Sequence, residues 1–435
     1  MKLLFSAADS RVTALIRILS GVWFFVDTLS MLVSGYVTEA YVNVKVNLSF
    51  YGFEWVQPLS GAGMYVLFLL LILFSIAIAI GYRTKLFLSL FIIGFSYVFL
   101  IDVVYTLNKF YLFLIIAFLV LFSDESPSWK YPQLKKVSAL PVAYWNIFIF
   151  QALIGVIYFY SGIAKINHDW LYHAEPLHSF FRARSYIRAL GADGLETLSF
   201  IFSYCGILFD LSIAFILINR RTRVWGQVAQ IAFHLLNFTI LHIGSLSIFM
   251  ILFTFFLFPT EWLKRKMSLK ELEHNPKWSA RIPSGLYLAG IVLGLQLIIP
   301  HRHYFSNANV NWTEKGHRFS WRLMSRTKGG SYSSFEVVDN ETKESWNINP
   351  RAYLTGRQYR KMSAESDLIL FFAHFLAREW KEKGHKDVSV YVNSRTHLNH
   401  RHSAPLIDRE IDLVKVPRTF IVDRISLPIA DCQAY

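Results

Sequence analysis

The stretch Met64-Tyr65-Val66-Leu67-Phe68-Leu69-Leu70-Leu71-Ile72-Leu73-Phe74-Ser75-Ile76-Ala77-Ile78-Ala79-Ile80 contains no charged residue and ends at Gly81. A run of this length and composition matches the hydrocarbon thickness of a bilayer when coiled into a helix. Working outward, similar runs from Leu86 to Ile101 and from Phe110 to Phe122 are each framed by charge or a turn residue. Candidate spans fall at 17–34, 62–81, 86–102, 108–122, 142–162, 195–218, 224–241, 244–259 and 285–300. The expected fold is therefore a polytopic α-helical membrane protein with about nine transmembrane helices. The first of these is expected to be retained, because no small-residue cleavage site follows it.

Composition agrees: 54% of the 435 residues are hydrophobic and 17% charged. The formal charge of +14 raises nucleic acid as a partner. However, the cations fall where membrane topology puts them, and no basic repeat is interleaved with aromatics, so no nucleic acid is expected. With the N-terminus inside, the inner segments hold 17 Lys and Arg and the outer segments 6. This asymmetry places the C-terminal part outside and membrane lipids around the bundle. Cys205 lies within an apolar run and Cys432 near the end, so neither a disulfide framework nor a cysteine metal site is expected.

After Pro300 the apolar runs stop. Phe335 to Val338 and Val388 to Val392 alternate as half-buried strands do, and Asp339-Asn340-Glu341 reads as a hairpin turn. Between them, Leu368, Phe371, Phe372, Phe375 and Leu376 recur at helical spacing before Gly384. The chain thus divides into a helical domain at 1–300 and an α+β domain at 301–435.

Ionisable groups are costly in a bilayer, which singles out Asp27, Asp102, Lys109, Lys165, Asp210 and His234. On position alone Lys165 is either an interfacial anchor or a base that burial keeps neutral. His234 and Asn237 share a helical face and either grip a polar ligand or hydrogen-bond a neighbouring helix. Asp210 is similarly a structural partner or a site residue. His168, His173 and His178 lack the spacing of helical metal ligands, and His397, His400 and His402 lack acidic or cysteine partners, so no metal is expected.

Tyr158-Phe159, Gly162-Ile163-Ala164-Lys165, Asp169-Trp170, Phe209-Asp210-Leu211-Ser212, Phe233-His234 to Asn237 and Ile243-Gly244 occur in that order. They are followed by Asn311-Trp312-Thr313, Phe319-Ser320-Trp321, Asn349-Pro350, Leu406-Ile407-Asp408 and Asp412-Leu413. Together these segments resemble the vitamin K-dependent γ-glutamyl carboxylases and their bacterial relatives over most of the chain. The resemblance implies that oxidation of reduced vitamin K by O2 to its epoxide generates a strong base. That base deprotonates a glutamate of a secreted or membrane polypeptide, which then adds CO2. It further implies Lys165 as the initiating base; Lys109, a departure from the family, is a second catalytic candidate that either positions carboxylate or CO2, weakens the hold of Lys165 on its proton by repulsion, or uncouples quinone oxidation from carboxylation. Asn108, Asp210, His234, Asn237 and Trp321 are the implied quinone-binding residues, and a bacterial cytoplasmic membrane is the implied setting. Where the family has an Asn-His pair, this chain has Asn108-Lys109. Two rival readings follow: a quinol epoxidase without carboxylation, and a non-catalytic quinone- or lipid-binding protein. A transporter would call for an inverted repeat or matched broken helices, and neither is visible.

Overall fold

The computed structural model describes residues 3–124, 126, 128–135, 141–267, 269, 283–306, 308–399, 401–420 and 422–429. Cys432 and His400 lie outside the described residues.

A short strand β1 (Ala7–Asp9) leads into α1 (Ser10–Val33), α2 (Gly61–Ile80), α3 (Thr84–Ile101) and α4 (Asn108–Phe122). Strand β2 (Pro141–Ala143) pairs antiparallel with β1 and precedes α5 (Trp145–Lys165). Three short helices, α6 (His168–His173), α7 (Leu177–Arg182) and α8 (Ser185–Arg188), separate it from α9 (Gly191–Ile218). Then follow α10 (Arg223–Thr239), α11 (Ser245–Leu257), α12 (Glu261–Lys266) and α13 (Ser284–Ile298).

All nine expected spans fall on helices. Among the described residues, six helical segments are long and apolar enough to cross a membrane. Helices α4, α10 and α11 are shorter.

Helix ends follow local chemistry. Asp9 caps α1 by accepting from the Arg11 amide at 2.9 Å, which starts this helix before the apolar run begins. Gly81 closes α2 with φ of 75°, a conformation that costs a side chain but not glycine. The aromatic core joins α1, α3, α4 and α11: Trp23 stacks on Phe249 at 3.8 Å and Phe24 on Phe91 at 4.7 Å.

Beyond the bundle, α14 (Val310–Thr313) precedes a four-stranded antiparallel sheet in the order β4 (Ser345–Ile348), β3 (Lys328–Asp339), β5 (Val388–Leu398), β6 (Ala404–Pro405). Between β4 and β5 run α15 (Gly356–Met362) and α16 (Ser366–Glu382). Val337 pairs with Val390 and Phe335 with Val392, and the buried Phe335 ring meets Phe372 of α16 at 5.1 Å. Turn residues after Asp339 connect β3 to β4, as the sequence indicates. Strands β3 and β5 extend beyond the alternating runs into Lys328–Ser334 and Asn393–Leu398. Glycine, serine and polar residues there pair through the backbone without a hydrophobic alternation to announce it.

Candidate functional site

Helix α5 runs out at Lys165 because Asn167 caps the next helix, accepting from the Trp170 amide at 3.2 Å. The lysine is therefore held at a helix terminus, where α9 approaches closely. The approach needs Gly162: a Cβ there would lie 2.7 Å from Leu211 Cδ2 and 3.2 Å from Asp210 Cβ. Across that contact Lys165 Nζ lies 2.5 Å from Asp210 Oδ2 and donates to Ser161 Oγ at 2.7 Å. Lys165 is 5% exposed and Asp210 2%, so neither charge has much water to stabilise it.

These groups stand at the wall of a cavity of about 400 Å³. Its lining is mostly apolar, from Leu112, Ile157, Phe202, Phe209, Ile240 and Met250. Phe209 stacks on Phe233 at 4.0 Å, fixing α9 against α10. His234 Nε2 and the Tyr158 hydroxyl are 2.7 Å apart, and Asn237, one turn on from His234, also lines the cavity, as does Asn108 at the start of α4.

The C-terminal domain contributes Trp321, Leu323 and Met324 to the same cavity. Phe319, Trp321 and Met324 have φ of 62°, 55° and 52°. Three non-glycine residues in the left-handed region within six positions constitute local strain, which folds retain only where surrounding contacts impose it. The buried Trp321 Nε1 has no hydrogen-bond partner among the described residues.

The structure thus brings together six of the seven site residues named with the family resemblance: Lys165, Asn108, Asp210, His234, Asn237 and Trp321. Lys109 is not among the cavity-lining residues. Its Nζ lies 3.1 Å from Asp27 Oδ1, and Ser245 Oγ donates to both oxygens of that carboxylate at 2.8 and 2.9 Å. Asp102 stands elsewhere, accepting from Leu48 N, Val104 N and Gln358 Nε2, which ties the end of α3 to α15. Among the described residues no group of three or more His, Cys, Asp or Glu forms a metal site.

Sequence reasoning gave no individual role to Ser161, Tyr158 or Asp169. Tyr158 and Ser161 sit seven and four residues before Lys165, on the helical face that carries it, and this spacing was a usable signal. No such signal marks the partners of Asp169, whose carboxylate is bridged by Arg401 and Asn399 of the C-terminal domain. Burial raises the Asp169 carboxyl, but the hydrogen bonds and charge of Arg401 outweigh that and hold it below the usual range.

An amine, a carboxylate, an imidazole and an amide thus share one largely apolar cavity. The volume falls within the roughly 300–1,000 Å³ of small-molecule pockets. A family model described as the HTTM domain matches residues 5–262. A second, described as the vitamin K-dependent gamma-carboxylase lumenal domain, matches residues 283–431. No solved structure matches the chain.

Proposed function

The chain belongs to the vitamin K-dependent gamma-carboxylase family, and from that premise we propose that it couples oxidation of reduced vitamin K to carboxylation of peptide glutamate. The observation that carries the reading is Lys165, buried at the wall of an apolar cavity with Asp210 and Ser161 in contact. Reduced vitamin K, when bound, supplies with O2 the base strong enough to remove the glutamate γ-proton, and CO2 then adds.

Lys165 in this reading takes a proton from a hydroxyl of the reduced quinone. For that it must be free of its own extra proton, and Asp210, at 2.5 Å, is the neighbour that can accept it. Ser161 Oγ fixes the amine's direction. His234 and Asn237 hold the oxygens at the other ring position, with Tyr158 setting the imidazole's orientation. Phe209, backed by Phe233 stacked on it, offers the ring an aromatic surface, and Trp321, Leu323 and Met324 exclude water that would quench a strong base. Membrane lipids surround the bundle, the polypeptide substrate arrives at the outer face, and the setting is a bacterial cytoplasmic membrane.

Incorporation of labelled CO2 into a glutamyl peptide, driven by reduced vitamin K, tests the proposal. Wild type should show both incorporation and epoxide, and Lys165→Ala should lose at least a hundredfold of each, since general acid–base groups contribute roughly 10²–10⁴-fold. Undiminished turnover by Lys165→Ala would remove it from the base role.

The position of Lys109 favours a second reading. Its amine faces Asp27 rather than the cavity, so the family's imidazole has no replacement there. An enzyme that forms epoxide without carboxylating would behave this way, and Lys109→His should then raise carboxylation relative to epoxide. A non-catalytic quinone- or lipid-holding protein would yield neither product while still retaining the ligand.

A further inference from the structure

Helices α9 and α10 are in close contact near the 219–222 turn that joins them, where a Cβ on Gly226 would lie 2.9 Å from Ile216 Cγ2 and 3.2 Å from Leu217 Cδ2. Farther along, Phe209 stacks on Phe233. Around that stack the cavity wall carries small side chains, Cys205 and Gly206 on α9 and Ala229 and Ala232 on α10.

Helical periodicity shows which way this wall opens. On α10, Phe233 and Asn237 line the cavity, whereas Ala229, Ala232 and Leu236 both line it and are exposed. Val228, Leu235 and Thr239 are exposed without lining it. At about 100° per residue, these three sets follow one another around a single flank of the helix. Helix α9 repeats the order: Phe209 faces inward, Ile201 and Cys205 are both lining and exposed, and Tyr204 and Leu208 are exposed only. Ile201 is 52% exposed and Leu236 39%, more than the wall of a closed chamber allows. Asp210 and His234 occupy the other flank of each helix, where Lys165 and Tyr158 of α5 meet them. The mixed flanks therefore lie on the side away from α5.

The medium around that side is lipid, since both helices belong to the membrane bundle. The flanks carry no charged residue, and their two hydroxyls are satisfied within the protein, Tyr204 donating to the Leu171 carbonyl at 2.7 Å and Thr239 to that of Leu235 at 2.8 Å. Surface of this kind suits acyl chains, and a peptide would lose its water there without new partners. An isoprenoid chain has no such cost. A closed pocket would limit the length of a ligand's tail, and an open flank does not.

We propose that the cavity opens sideways into the bilayer between α9 and α10, and that its ligand is a quinol with a long isoprenoid tail that runs out through this gap while the ring stays inside. The opening stands on the geometry of the two helices; its occupant rests on the quinol reading above. Ala229 and Ala232 are then specificity-determining, because a large side chain at either closes the gap to a tail while leaving room for a ring.

The test uses the full chain in phosphatidylcholine nanodiscs and two ligands, both dosed as mole fraction of lipid. One is 2,3-dimethylnaphthoquinone, which has no tail, with binding read by calorimetry against empty nanodiscs. The other is a naphthoquinone with eight isoprene units and a diazirine on the third, its crosslinks mapped by mass spectrometry. Wild type should bind the tailless ring and give saturable crosslinks on the 201–208 and 228–239 flanks. Ala232→Trp should lose at least tenfold of the crosslinking and less than threefold of the ring's affinity, while Leu208→Trp, on the lipid side only, behaves as wild type. If Ala232→Trp does not fold, Ala229→Phe takes its place, with at least threefold loss of crosslinking. The proposal is overturned if the ring binds but crosslinks fall on other helices or do not saturate. It is also overturned if the variant weakens neither ligand or both alike. Failure of wild type to bind the tailless ring removes the quinol reading itself, and the assigned occupant with it.

Discussion

At the residue scale, buried charges in this chain are informative through their partners. Asp210 was conspicuous in the sequence as an acid in an apolar run, but nothing there indicated a lysine 45 positions earlier as its contact. Lys109 and Asp27, 82 positions apart, were both visible as intramembrane charges, yet their pairing depends on how α1 and α4 pack. Asp367 carries a prediction of its own. Burial raises its carboxyl, but Arg418 and Lys315 overcome this and bring it to about 2, below its ordinary 3.8. A depressed acid contributes stability in full above its unfolded value and loses it as pH falls through the folded one. The contribution is about 2 kcal/mol at one pKa unit per 1.36 kcal/mol. We expect the gap in thermal midpoint between wild type and Asp367→Asn to be constant from pH 7 to 5 and to narrow between pH 4 and 2. A gap that does not change with acidity would mean the carboxylate is unpaired in solution.

Single elements were legible where hydropathy alone decides them. All nine expected spans coincide with helices because an apolar run in lipid has few alternatives to coiling. The alternating parts of β3 and β5 were legible for the same kind of reason, while their polar extensions were not. What hydropathy does not give is the distance between helices. Gly162 sets that for α5 and α9, and a larger side chain there must push the helices apart or bend Leu211 aside. Gly162→Val should cost roughly 1–3 kcal/mol, the usual range for overpacking, and reduce quinol-dependent turnover more than tenfold by lengthening the Lys165–Asp210 contact. Gly162→Ala should do less on both counts, since a rotated Leu211 can accommodate one methyl. Equal stability and activity in wild type and Gly162→Val would show that the contact does not position the lysine.

At the scale of the whole molecule, bundle and C-terminal domain share buried polar contacts that sequence spacing cannot reveal. Asp169, four residues past Lys165, is gripped by Arg401 and Asn399 more than two hundred positions later. Arg401→Ala leaves that carboxylate uncompensated and should destabilise by roughly 3 kcal/mol. Adding Asp169→Asn should restore most of the loss, and the thermal midpoints of the two single variants and the double variant measure it. Orientation is testable separately. In a Cys205→Ser, Cys432→Ser background, a cysteine at the exposed Ser403 should react with a membrane-impermeant maleimide on intact cells. One at the exposed Arg221 should react only after permeabilisation, and the reverse pattern would invert the topology.

The roof formed by Trp321, Leu323 and Met324 has a consequence for ancestry and engineering. The boundary between the two matched family models falls between residues 262 and 283, while the large cavity draws its walls from both sides of it. The two halves are therefore not interchangeable cassettes. Grafting a C-terminal domain from another lineage replaces three cavity-lining residues and the partners of Asp169 in one stroke, so a stable hybrid must inherit them as a matched set.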